Sequence, residues 1–105
     1  MLTTMQIEAA RKLAETKDTN DIVREFTAKV EADLARDIEL WTAEGEPEMI
    51  ESAKQDAEDL KYAISLIAEG NPDGAHEYIC SRDTIIRESV PHYIWAWLGG
   101  SFLGE

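Results

Sequence analysis

Trp41-Thr42-Ala43-Glu44-Gly45-Glu46-Pro47-Glu48-Met49-Ile50 is the stretch that decides the fold. Glycine has no Cβ and takes the left-handed conformation that ends a helix at little steric cost. Proline, with its fixed φ and missing N–H, suits the first turn of the next helix. Gly45 followed by Pro47 therefore predicts one helix ending near Glu44 and another beginning at once, with a turn so tight that the two run antiparallel. Upstream, Val23, Phe26, Val30, Leu34 and Trp41 form an apolar arc flanked by Ile22, Ile38 and Leu40, the width expected of a helix packed on a core. This second helix follows the polar break Thr16-Lys17-Asp18-Thr19-Asn20, where Asn20 is the expected cap. Downstream, Ile50, Ala53, Ala57, Leu60, Ile64 and Ile67 alternate spacings of three and four until Gly70 stops the pattern. At 1.5 Å per residue each long helix spans roughly 33 Å.

Shorter helices are read outward from this hairpin. Thr3 with Gln6 has capping-box spacing, and Ile7, Ala10, Leu13 and Ala14 share a face as far as Glu15. Asn71-Pro72, Ser81 and Pro91 mark later starts, predicting helices over 72–80, 82–89 and 91–98, the last closed by Gly99-Gly100. Strand-like alternation, repeats and low-complexity runs are absent from the sequence. A chain of 105 residues that is 44% apolar fits one domain over 1–105. The expected fold is all-α: a long antiparallel helical hairpin packed with several shorter helices as a small bundle.

Cys80 is the single cysteine, so an internal disulfide and a four-thiolate zinc site are excluded and a reducing cytoplasm fits best. Met1-Leu2-Thr3-Thr4-Met5-Gln6 lacks a basic region followed by an apolar core, and no apolar run approaches the ~20 residues of a membrane span. A cytoplasmic protein with no membrane partner is expected. Chemistry finds little footing in the residues. Two histidines are too few for a di-iron bundle with its two Glu-x-x-His units. Glu48-Met49-Ile50-Glu51 resembles half of the magnesium-binding motif of helical nucleotide pyrophosphohydrolases, whose second acidic pair is missing downstream. His76 and Cys80 have i, i+4 spacing but no orienting third group, and a phosphate-binding glycine loop is absent. The sequence therefore predicts a non-enzyme with no catalytic residue, metal or cofactor.

Charge is the strongest signal. The net charge is −12, and a pI near 4.4 works against direct nucleic-acid binding. Residues 1–30 are neutral, whereas 31–59 hold eleven acids against Arg36 and Lys54, net −9. Glu31 and Glu39 on the second helix, and Glu48, Glu51, Glu58 and Asp59 on the third, fall off the apolar seams and are expected to face water. Carboxylates one helical turn apart, ~6 Å, approach the spacing of phosphates along a nucleic-acid strand, so these six residues are the expected partner-binding set. The partner would be a host DNA-binding protein or nuclease with a basic groove. A plain solvated face is the competing reading. Against it, like charges three or four residues apart each cost a helix ~0.2–0.5 kcal/mol, more than solubility requires. Asp37 falls inside the arc between Leu34 and Trp41, and a cross-hairpin ion pair with Lys54 is its expected explanation, with a ligand role as the alternative. Asp33 and Glu44 border the same arc.

Two of the three tryptophans stand in the last twelve residues, within Ile94, Trp95, Trp97, Leu98, Phe102 and Leu103. One helix cannot bury Trp95 and Trp97 against the same neighbour. Either the segment is sandwiched in the core, or part of it forms a subunit interface; the expectation is that one of Trp95 and Trp97 enters the core while the other, with Phe102 and Leu103, contributes a self-association surface and a homodimer. Ser89-Val90-Pro91-His92-Tyr93 resembles a Val-Pro-His-Tyr element of the Ocr-like phage antirestriction proteins, acidic helical dimers that imitate DNA and block restriction enzymes. The resemblance covers about five residues and implies a phage-type inhibitor acting in the host cytoplasm. This chain departs from that family in lacking an acidic tail and in its neutral first third, so no family site residue is carried over. The leading expectation is thus a DNA-mimic inhibitor of a host defence or DNA-processing protein. Its rival is an acidic helical interaction or regulatory module that captures a partner through its aromatic C-terminal surface.

Overall fold

In the computed structural model, which describes residues 3–99, six helices follow one another: α1 (Thr4–Glu15), α2 (Thr19–Glu44), α3 (Pro47–Ala68), α4 (Pro72–Ser81), α5 (Thr84–Glu88) and α6 (His92–Leu98). No strand is present among the described residues. The all-α hairpin-plus-short-helices architecture is as the sequence predicts. The deciding turn forms as its residues dictate: Gly45 is left-handed at φ 70°, Glu46 N–H bonds to the Trp41 carbonyl, and Pro47 opens α3. Around Gly45 there is open space, so the glycine is required by backbone conformation and not by packing.

Helix starts are set by capping side chains. Thr3 and Gln6 form the expected reciprocal box at α1, and the Asn71 side chain accepts from Gly74 N–H at α4. Two expected caps are corrected. Asp18, not Asn20, caps α2, because Asp21 stands three residues on and closes a reciprocal box with it. Asp83, not Ser81, caps α5 by accepting from Ile86 N–H; the Ser81 hydroxyl instead bonds back to the Tyr78 carbonyl inside α4. Consequently α5 is a five-residue helix, shorter than the 82–89 span expected.

The core lies at the open end of the hairpin. Ile22, Phe26 and Val30 from α2 meet Leu60, Ala63, Ile64 and Ile67 from α3, and α4 to α6 close over them with Ala75, Ile79, Ile86, Val90, Ile94, Trp95 and Leu98. Helix α4 folds back on α3, and α6 lies between α1 and α4. This position of α6 answers the tryptophan question. Trp95 points into the core, 1% exposed, and donates its indole N–H to the Arg87 carbonyl. Trp97, half-buried on another side of the helix, donates to the Lys17 carbonyl in the α1–α2 loop. Buried aromatic N–H groups need such partners.

From Glu31 to Asp56 no side chain is fully buried. The closed end of the hairpin is therefore an arm that projects from the globule, held along its seam by the half-buried Leu34, Ile38, Trp41, Ile50 and Ala53. The molecule measures 41 × 32 × 23 Å. Among the described residues no helix is long and apolar enough to cross a membrane.

Candidate functional site

The projecting arm is also where the net charge is concentrated, because residues 31–59 hold eleven acids against only Arg36 and Lys54. Glu31, Glu39, Glu48, Glu51 and Glu58 are all exposed, as expected. So are Glu44 and Glu46 at the turn. Each carboxylate of Glu31, Glu39, Glu44, Glu46, Glu48 and Glu58 is without an ion pair among the described residues. Glu51 is weakly compensated by Lys54 at 3.6 Å, a solvent-screened i, i+3 pair.

Asp59 does not face water, and this expectation is corrected. Its side chain is only 12% exposed, and it accepts from Arg82 at 3.2 Å, from Gln55 at 3.1 Å and from the Tyr78 hydroxyl at 3.4 Å. Asp59 thus ties α3 to α4. Burial, followed by the Asp59 charge, holds the Tyr78 phenol above its usual range. Asp33 is likewise engaged, by Lys29 and by Arg36.

The predicted Asp37–Lys54 pair is also corrected. Asp37 pairs with its neighbour Arg36 at 3.5 Å, while Lys54 turns along its own helix to Glu51. The physical reason lies in helix geometry. Asp56 feels the charge of Asp37 across the hairpin, and Lys54, two residues earlier, points about 160° away around α3. Asp37 and Lys54 share a height along the arm but lie on different flanks of it.

The same rotation distributes the exposed glutamates. Glu31 and Glu39, eight residues apart, differ by about 80° around α2, and Glu48, Glu51 and Glu58 fan over a similar arc of α3 on the side away from the seam. The arm is ringed with carboxylates and does not carry them as one stripe. Sequence reasoning missed Asp56 and Asp83, which the fold brings within electrostatic reach of one another and of Asp37 and Asp59. Partial burial, then Asp83, Asp59 and Asp37, push the Asp56 carboxyl above its usual range. The i, i+3 spacing of Asp56 and Asp59 was the available signal. The approach of Asp83 depends on how α5 packs, which spacing does not reveal.

Comparison of the chain with protein-family models, with curated proteins and with solved structures finds no match. The five residues that resemble the antirestriction proteins form the α5–α6 joint. Ser89 caps the end of α5, Val90 is buried in the core, Pro91 leads into α6, and the Tyr93 hydroxyl donates to Glu25 at 3.0 Å. Lys17 bonds the other oxygen of Glu25 at 3.0 Å and lies 5.8 Å from the Tyr93 ring. Lys17 holds the Glu25 carboxyl below its usual range, while burial and Glu25 push the Tyr93 phenol up to about 12. In this chain the resembling segment joins helices and stands apart from the acidic arm.

For self-association, the buried Trp95 is no surface residue, which corrects its expected role, and Trp97 covers the α1–α2 loop. Phe102 and Leu103 lie outside the described residues. His76 and Cys80 approach to 3.7 Å, both half-buried, with the His76 ring edge-on to Trp95 at 5.5 Å. Among the described residues no three His, Cys, Asp or Glu side chains are grouped to hold a metal ion.

Proposed function

We propose that the chain is an inhibitor or competitor that inserts its acidic arm into the basic, DNA-binding groove of a partner protein, the role of the phage antirestriction proteins that residues 89–93 resemble. One observation carries this reading. The net charge is gathered around the part of the molecule that projects beyond the core: residues 31–59 hold eleven acids against two bases, net −9, whereas the rest of the chain offsets its eleven acids, several of them also exposed, with eight bases. A rod of two helices ringed by negative charge can enter a groove shaped for a polyanion and meet cationic walls on both sides. The rival reading through C-terminal aromatics loses support, since Trp95 is in the core. A host defence or DNA-processing protein is the partner this chemistry suits.

The test is capture from a bacterial lysate on the immobilised chain, followed by challenge with duplex DNA. Displacement of the captured protein by duplex supports the proposal. Retention in the presence of excess duplex, or equal capture by a chain carrying Gln at Glu31, Glu39, Glu48, Glu51 and Glu58, overturns it. Asp59 is left intact in that variant because of its bond to Arg82.

A further inference from the structure

One flank of the arm combines exposed apolar side chains with carboxylates. Leu40 follows Asp37 by three residues, and Met49 precedes Asp56 by seven, so each apolar residue shares a helix face with its aspartate. With the half-buried seams of α2 and α3 turned toward each other, a rotation of about 100° per residue puts the Asp37–Leu40 face and the Met49–Asp56 face on the same side of the hairpin. Helix α5 packs against α3 there, close enough for Asp83 to act on Asp56. Leu40 and Met49 are 47% and 41% exposed. Among the described residues Asp37 pairs with Arg36 alone, at 3.5 Å, and Arg36 is itself 68% exposed. Asp83 is exposed at the cap of α5.

We infer that the shelf formed by Asp37, Leu40, Met49, Asp56 and Asp83 receives a cationic amphipathic segment of a partner protein, its apolar side chains on Leu40 and Met49 and its lysines or arginines on the aspartates. Charge selects this occupant. A second copy of the chain would bring another net −9 segment against the first, and nucleic acid is repelled for the same reason. A neutral apolar partner would cover Asp56 and Asp83 without supplying countercharge, which is costly. A cationic rim with an apolar centre satisfies both groups. The inference rests on the arm being the binding part, and adds the flank used and the partner's chemistry.

The probe is a synthetic helical peptide of about 18 residues with leucines at i, i+3, i+4 and i+7 spacing and lysines elsewhere. Its control has every leucine replaced by serine. Affinity is read by fluorescence anisotropy and the contact by methyl NMR. The leucine peptide is expected to bind about tenfold more tightly than the serine control, shifting the Leu40 and Met49 methyl signals. L40S with M49S, both surface changes whose folding is verified by circular dichroism, removes this preference and leaves serine-peptide binding unchanged. Persistence of the preference in that double variant, or equal binding of the two peptides to the unmodified chain, overturns the shelf while leaving the acidic-arm reading intact. Failure of both peptides to bind at low salt overturns the arm reading itself.

Discussion

Replacing Asp56 by asparagine removes a carboxylate that lies within electrostatic reach of three others and keeps nearly the same shape. Asp56 is half-buried on α3, and its carboxyl is pushed up first by burial and then by Asp83, Asp59 and Asp37. If each of the three like charges costs about 0.2–0.5 kcal/mol, as on helix surfaces, their removal stabilises the fold by on the order of 1 kcal/mol. That gain raises the melting temperature by roughly 4–8 °C in a domain of this size. The pH dependence has a definite sign. The folded carboxyl holds its proton more tightly than the unfolded one, so acid favours the wild-type fold. The advantage of Asp56→Asn is therefore full above the folded-state pKa and lost below the ordinary value of 3.8. Urea denaturation followed by circular dichroism, at low salt and again at about 1 M NaCl where screening is nearly complete, measures both parts. An asparagine variant less stable than wild type at neutral pH and low salt would refute the reasoning, because Asp56 would then be making a favourable structural contact.

Other changes probe the base of the hairpin. Phe26→Ala empties a fully buried position between α2 and the remaining helices and is expected to cost about 3–5 kcal/mol. Against a total stability of about 5–15 kcal/mol, a large drop in the urea midpoint should follow. Tyr93 and its bond to Glu25 couple α6 to α2. Since the folded phenol is held up to about 12 against an ordinary 10.0, wild-type stability falls as pH rises from 10 to 12. Tyr93→Phe removes that fall and costs about 1 kcal/mol near neutrality through the lost hydrogen bond. Denaturation midpoints of the two proteins across the alkaline range check it.

The hairpin was legible because its signals are local. Gly45 and Pro47 act through their own backbone torsions, and the three-and-four spacing of Ile50 to Ile67 directly describes one helix face. Caps were harder to place. Asp18 and Asn20 are both good cap residues, and what decides between them is the reciprocal bond with Asp21, three residues after Asp18 and next to Asn20. The site was legible in composition and only partly in geometry. That 31–59 is acidic is a matter of counting, but where each carboxylate goes depends on tertiary packing. Asp59 looked like its exposed neighbour Glu58 until α4 brought Arg82 and Tyr78 against it. Trp95 and Trp97 posed a choice that only the position of α6 between α1 and α4 could resolve. Asp37 appeared misplaced in an apolar arc because the arm has no buried residue there, so a carboxylate on that face keeps its contact with solvent and with Arg36.

The measurement closest to the central claim is the ionic-strength dependence of affinity for a partner captured from lysate, determined by titration calorimetry between about 50 and 200 mM salt. If the arm stands in for a polyanion, affinity falls steeply and linearly in log salt, and the Gln variant at Glu31, Glu39, Glu48, Glu51 and Glu58 shows a shallower slope. Affinity that is flat across this range, with the same slope in both proteins, would contradict the account.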